Sequence, residues 1–367
     1  MRGEAGRLLF KFEYLRLVRK EFGPDEELFQ EELELLAENA MSLPGPTLAS
    51  GKCGVDWVFQ HFFRNGILGE EDLRILCADP TEVMNTSLDL LRLHNCDLLH
   101  GATGMAYYLL YAGKTNDTGY YQSFFSELHK LVALSDSKKC PPHMDLTTWQ
   151  LEPSKVNTGM AHGVTSIIKF CLECYARGVC KTEAKDLAYQ IMEFLQKNVN
   201  PDTASPRFET IIDTNEAPVY KSRLGWCYGD LSIGLILLQA ARLFGDAGLM
   251  DFSKQVLSST VSRRSIEDTF VADGGVCHGS AGIAHIYDKV WRYTGEEPYR
   301  NARDFWLSQT FAFAKKRDNG MIVYEKFYSG TYFEDEGLLE GAAGVGLVLL
   351  SYLTGNTDWD YFLMLND

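Results

Sequence analysis

No stretch of this chain approaches the roughly 18 consecutive apolar residues of a membrane-spanning helix. Its start, Met1-Arg-Gly-Glu, lacks the apolar core that directs secretion, so a cytoplasmic location is expected. Basic charge is scarce as well: 35 Lys and Arg stand against 50 Asp and Glu, a formal net charge of −15. Binding nucleic acid requires a basic stripe that neutralises phosphates; none is present, and that class of partner is excluded. An acidic surface serves mostly solubility and leaves room for a basic partner. A disulfide framework is missing too. The nine cysteines, at 53, 77, 96, 140, 171, 174, 180, 227 and 277, are odd in number and scattered among apolar neighbours. In a reducing compartment they read as buried thiols or metal ligands.

What the chain does have is a repeat. Aligned on glycine, seven copies appear: Gly3-Glu-Ala-Gly6, Gly51-Lys-Cys-Gly54, Gly101-Ala-Thr-Gly104, Gly163-Val-Thr-Ser166, Gly229-Asp-Leu-Ser232, Gly279-Ser-Ala-Gly282 and Gly341-Ala-Ala-Gly344. By subtraction, the leading glycines are 48, 50, 62, 66, 50 and 62 residues apart. An apolar stretch follows each copy, as in Ile233-Gly-Leu-Ile-Leu-Leu238, and reads as a buried helix. Small residues at a helix start let another backbone come close. Mixed segments such as Thr182–Gln196 and Tyr299–Lys315 have helical spacing and fill the intervals between copies.

Periods this long are unusual for an open solenoid of paired helices. Seven helix-loop-helix units can instead close into a double ring, glycine-led helices inside and amphipathic ones outside. No unit buries its apolar face alone, so one domain over residues 1–367 is expected. The class is all-α, an α/α toroid of seven inner and seven outer helices. Short β-ribbons are expected in loops, at Arg207–Ile212 and Met321–Tyr324, where the composition is strand-like.

The chemistry-bearing residues gather at repeat starts. Asp97 and His100 precede Gly101, and His162 precedes Gly163. Arg223, Trp226, Cys227, Tyr228 and Asp230 surround Gly229; Cys277 and His278 precede Gly279, and Glu340 precedes Gly341. If the inner helices all begin on one side, these groups share one mouth. Two thiolates and an imidazole (Cys227, Cys277, His278) form a soft ligand set that favours zinc and leaves a fourth position open for water or substrate.

Trp226-Cys-Tyr-Gly-Asp230 together with Cys277-His-Gly279, in a seven-fold Gly-x-x-Gly frame, resembles the lanthipeptide cyclases: the LanC-type lanthionine synthetases and their LanC-like relatives. The resemblance runs from Gly3 to the Leu338–Leu350 copy. It implies an α/α toroid with one zinc per chain, on Cys227, Cys277 and His278. The family's histidine before the fourth repeat matches His162, its arginine before the tryptophan matches Arg223, and its aspartate before the third repeat matches Asp97. The implied reaction is intramolecular Michael addition of a zinc-activated cysteine thiolate to dehydroalanine or dehydrobutyrine, forming a thioether ring. His162 is then the general acid for the α-carbon, Asp97 its orienting carboxylate, Arg223 a fixed cation for the enolate oxygen, and Tyr228 a hydrogen-bond donor. The expected partners are a dehydrated precursor peptide, a separate dehydratase and a peptide exporter. Membrane association, if any, is peripheral and through that biosynthetic complex.

Alternatives remain at this stage. The same residues suit addition of glutathione or another small thiol to dehydrated residues, or a peptide-holding scaffold. A carbohydrate-active toroid leaves Cys227, Cys277 and His278 unexplained. Asp97 reads equally as a helix N-cap, and Arg223 as a structural ion pair, with Asp230 as a partner. Cys171-Leu-Glu-Cys174 has metal-like spacing but lies in an apolar run and reads as core. The resemblance requires no role for His100 or Glu340, and His285 reads as core or as a neighbour of the site.

Overall fold

The computed structural model describes residues 3–20, 26–203 and 206–366. It places every leading glycine at the N-cap of a helix. In chain order the helices are α1 (Glu4–Tyr14), α2 (Glu26–Ala40), α3 (Lys52–Arg64), α4 (Glu70–Leu76), α5 (Pro80–Arg92), α6 (Ala102–Tyr111), α7 (Thr118–Leu134) and α8 (Val164–Ala176). There follow α9 (Lys181–Lys197), α10 (Asp230–Phe244), α11 (Ala247–Thr260), α12 (Ile266–Thr269), α13 (Ser280–Thr294), α14 (Glu297–Phe313) and α15 (Ala342–Thr354). A π-helical turn, Leu15–Arg19, extends α1, and a 3-10 turn, Asp358–Leu363, follows α15.

Most of the glycine-led helices are buried around nearly their whole circumference, as apolar residues on all sides demand; α1 departs from this, with Arg7 and Tyr14 exposed. All ten residues of α6 are buried, and so are the first twelve of α10. The helices between them are amphipathic: α9 buries Ala184, Leu187, Ala188, Ile191, Met192 and Leu195, a single stripe. Close approach explains the second glycine of the motif. A Cβ on Gly104, Gly282 or Gly344 would collide with the carbonyl oxygen of Leu98, Val276 or Leu338, six residues earlier in each case.

The same loops carry a second signature. Asn95, Asn157, Asp273 and Asp335 each lie six residues ahead of a leading glycine. Each side-chain Oδ1 accepts the N–H two residues on, from Asp97 (3.1 Å), Gly159 (2.9 Å), Gly275 (2.9 Å) and Gly337 (2.7 Å). These Asx turns bend the loop. In three of the copies the first helical N–H then reaches a carbonyl seven residues back: Ala102 to Asn95, Ser280 to Asp273, Ala342 to Asp335. That is how these helix starts, which lack a capping side chain, satisfy an orphan amide.

The chain divides into two compact units. The larger comprises Gly45–Ser222 and Cys227–Thr260. In it the glycine-led helices neighbour one another in the order α3, α6, α8, α10, and α9 and α11 pack on α8 and α10. The smaller comprises Met1–Pro44, Arg223–Trp226 and Val261–Asp367; there α15 neighbours both α13 and α1, with α14 on α13 and α2 on α1. The backbone crosses from one unit to the other at the Trp226–Cys227 peptide bond.

Among the described residues the strands form four antiparallel two-stranded ribbons. β1 (His143–Asp145) pairs with β2 (Gln150–Glu152), and β3 (Lys155–Asn157) with β4 (Ile211–Asp213). β5 (Lys315–Lys316) pairs with β6 (Ile322–Val323), and β7 (Glu325–Tyr328) with β8 (Thr331–Glu334). β4 and β6 fall at or beside the two segments whose composition is strand-like. No helix among the described residues is long and apolar enough to cross a membrane.

Candidate active site and metal centre

A repeated backbone bond ties the repeat starts to one another. The amide two or three residues before one leading glycine donates to the carbonyl two residues before the next. Ala49 donates to Leu99 (2.9 Å), and Met160 and Ala161 both donate to Cys227 (2.9 and 3.1 Å), all within the larger unit. In the smaller unit Trp226 donates to Cys277 (3.0 Å), and Val276 and Cys277 both donate to Leu339 (2.9 and 2.7 Å). The ladder consumes buried polar backbone that would otherwise be costly and holds the chemistry-bearing loops edge to edge.

In the larger unit it assembles Asp97, His162 and Tyr228. Asp97 does not cap α6, whose N-cap is Gly101. Its Oδ1 accepts the His100 N–H at 2.7 Å, and its Oδ2 lies 2.7 Å from His162 Nδ1. Asp97 is buried, and the His162 side chain is 28% exposed, so the pair meets at the edge of solvent. Burial pulls the His162 imidazole down, but the hydrogen bond and charge of Asp97, with a smaller contribution from Cys227, outweigh it and hold the group above its usual range. The His100 ring stacks on His162 with centroids 5.8 Å apart, and the Tyr228 ring lies 6.2 Å away on a tilt. Asn157 Nδ2 donates to the Tyr228 hydroxyl at 3.4 Å. Gly159 lies so close beneath the Tyr228 ring that a Cβ would strike Cδ1 and Cε1. After Tyr228 the chain turns into α10 through Gly229, whose φ of 99° L side chains rarely adopt.

The smaller unit holds Arg223, Trp226, Cys277 and His278. The Cys277 sulfur and a His278 ring nitrogen lie within 4.8 Å of each other, both residues half-buried. Gly225 packs directly on them: a Cβ there would sit 3.2 Å from His278 Cα and 3.3 Å from the Cys277 carbonyl oxygen. Trp226 is buried, and its indole N–H donates to the Leu363 carbonyl at 2.8 Å, so the C-terminal turn braces this strand of chain. Arg223 is half-buried. Cys227 is the next residue after Trp226. A thiol and an imidazole this close, with a second thiol one peptide bond beyond the residue that hydrogen-bonds Cys277, make a donor set suited to a soft divalent metal.

Other expectations resolve as follows. Asp230 is fully buried and accepts the backbone N–H groups of Arg207 (2.9 Å) and Phe208 (3.0 Å), fastening the loop before β4. Glu340 accepts from Lys326 Nζ at 3.0 Å. His285 is core: its Nε2 lies 3.0 Å from buried Asp360, which also pairs with Lys289. Cys171 and Cys174 are fully buried in α8, and burial pushes both thiols up. Sequence reading passed over His143, which lines a cleft with Asp97 and His162. In the Pro141–Pro153 segment the β-branched and aromatic residues, Thr147, Thr148 and Trp149, fall in the turn between β1 and β2 and not in the strands, so composition does not mark the ribbon.

Comparison with known proteins defines first the class. Over 98% of this chain and 90% of the other, the fold matches a solved structure of nisin cyclase with a TM-score of 0.71 at 18% identity. A sugar epimerase from a ruminal bacterium matches over 97% of this chain and 87% of its own, with a TM-score of 0.50 at 13% identity. The fold is the α/α toroid that the repeat led us to expect. The lanthionine synthetase C-like family matches residues 2–364, and the chain belongs to that family.

Proposed function

We propose that this protein is a zinc-dependent lanthipeptide cyclase that closes thioether rings in a dehydrated precursor peptide. The observation that carries the reading is the 2.7 Å contact between Asp97 and His162, on the loop whose amides hold the Cys227 carbonyl. His162 follows directly on Ala161, whose amide donates to the Cys227 carbonyl, and that neighbourhood supports an acid–base pair beside a cysteine that the family pattern assigns to metal. Cys227, Cys277 and His278 would hold one zinc, which when bound supplies the positive charge that keeps a substrate thiol deprotonated near neutral pH.

The protein's own residues do the rest. Asp97 fixes the His162 tautomer with Nδ1 toward the carboxylate, leaving Nε2 to deliver a proton to the α-carbon after the sulfur–β-carbon bond forms. A positioned general acid of this kind is worth roughly 10²–10⁴ in rate. Arg223 stabilises the developing enolate oxygen, and the Tyr228 hydroxyl donates beside it. In this reading the peptide comes from a separate dehydratase, and an exporter follows. The setting is the cytoplasm, with peripheral association through that complex. The reading is tested by incubating the zinc-loaded protein with a dehydrated peptide bearing a free cysteine. Loss of alkylatable thiol at unchanged peptide mass supports it. Turnover of glutathione onto a cysteine-free dehydrated peptide, with no ring closure, would favour small-thiol addition instead.

A further inference from the structure

We propose that His143 is the proton relay that recharges His162 between turnovers. The inference rests on the cyclase reading for its substrate, and it adds a residue that neither the motifs nor the family resemblance assigned. Ring closure forms the sulfur–β-carbon bond and breaks the dehydro residue's π bond. The thiol releases one proton and the α-carbon takes one from His162 Nε2. Protons balance overall, but His162 ends each cycle without its own. Its Nδ1 is committed to Asp97, so the proton returns through Nε2, and a group that shares the cleft can supply it.

His143 is such a group. The cleft is walled by Asp97, Pro141, Pro142, His143, Met144 and His162, among others. Its space for water is about 20 Å³, room for a single molecule in a cleft that both imidazoles line. Pro141 and Pro142 are buried and lead straight into β1; their fixed φ limits where the next side chain can go. Pairing His143 with Glu152 across the ribbon completes the placement, with Nε2 3.9 Å from Glu152 Oε2.

The charged groups facing His143 are Glu152, Asp145, Lys155 and Asp97. Burial outweighs the carboxylates and, with help from Lys155, holds the imidazole below its usual range. The relay itself stands on geometry: both imidazoles wall one cleft and share its space for water.

The test uses full-length, zinc-loaded protein and a synthetic peptide with one dehydroalanine and one cysteine, in weak buffer. His143→Gln is expected to lower kcat by roughly 10-fold or more at unchanged KM, and added imidazole buffer to restore it; wild type is indifferent to imidazole. A merely structural role would not give buffer rescue. His143→Gln at the wild-type rate in weak buffer, or a loss that imidazole leaves in place while circular dichroism stays native, overturns the relay alone. Wild type that closes no ring overturns the cyclase reading and the relay with it. Side-chain NMR gives a readout without turnover: His143→Gln is expected to shift the His162 ring resonances through the shared cleft, and His162 resonances identical to wild type overturn the proposal.

Discussion

Oδ2 of Asp97 and Nδ1 of His162 are 2.7 Å apart although 65 residues of sequence separate them. The loops before α6 and α8 meet there, each bent by an asparagine turn.

Because Asp97 is what lifts His162 above its burial-depressed range, Asp97→Asn should lower the histidine's pKa and move the alkaline loss of ring-closing activity to lower pH. A raised pKa contributes stability that is complete below about 6.5 and disappears as pH rises through the folded value. Asp97→Asn removes that contribution. The expected fall in kcat is roughly 10²-fold or more, with bound zinc unchanged. A pH–rate profile identical to wild type would refute the pairing's role.

Metal content separates the two kinds of cysteine. Elemental analysis of wild type should give one zinc per chain, lost in Cys277→Ala. Cys171→Ala, deep in α8, should keep its zinc and instead lose about 1 kcal/mol or more of stability from the small cavity. Stoichiometric zinc in Cys277→Ala would remove the assigned site.

Two glycines should respond in opposite directions to the same change. Gly104→Ala drives a methyl into the Leu98 carbonyl and should cost about 1–3 kcal/mol. Gly119→Ala, in α7 with nothing within 4 Å of the new Cβ, should gain about 0.5–1 kcal/mol. Thermal unfolding of the pair checks both signs; a neutral Gly104→Ala would contradict the close helix approach.

Asp56 supplies a pH test away from the site. It is fully buried in α3, where Ala78 N–H donates to Oδ2 at 2.8 Å and Lys52 Nζ lies 3.3 Å from Oδ1. Burial pushes its carboxyl up to about 6, against the Ala78 hydrogen bond and Lys52. The folded state therefore holds this proton more tightly than the unfolded chain. Its contribution is complete below 3.8 and is lost as pH rises through about 6. Asp56→Asn mimics the protonated form and should be more stable than wild type at neutral pH by up to about 3 kcal/mol. The difference should vanish near pH 4. Urea melts at several pH values measure it, and a pH-independent difference would contradict the burial effect.

Much of this was legible in the residues. The leading glycine of each copy marks the N-cap of its helix, and at Gly104, Gly282 and Gly344 the second glycine admits a carbonyl at Cβ distance, a local constraint that leaves a mark in sequence. The asparagine or aspartate six residues upstream was equally local and equally visible, in Asn95, Asn157, Asp273 and Asp335, but was overlooked because one residue in a varied loop carries little weight until its hydrogen bond is seen. The lack of a disulfide scaffold was legible in the cysteine count, which needs no fold to be read, and the cysteines are free thiols in the structure.

Contacts made at long range were decided by tertiary structure. Whether Asp97 capped a helix or held His162 depended on where two loops 65 residues apart come to rest, and periodicity says nothing about that. His143 carried no motif; only the β1–β2 ribbon turned it into the cleft beside His162. The Asp230 carboxylate fastens the backbone amides of Arg207 and Phe208, more than twenty residues earlier, another contact that periodicity does not give. Sequence determines which residues are capable of the chemistry and which helices they introduce; which of them meet is set by the backbone ladder between loops, whose donors and acceptors are the same in every residue.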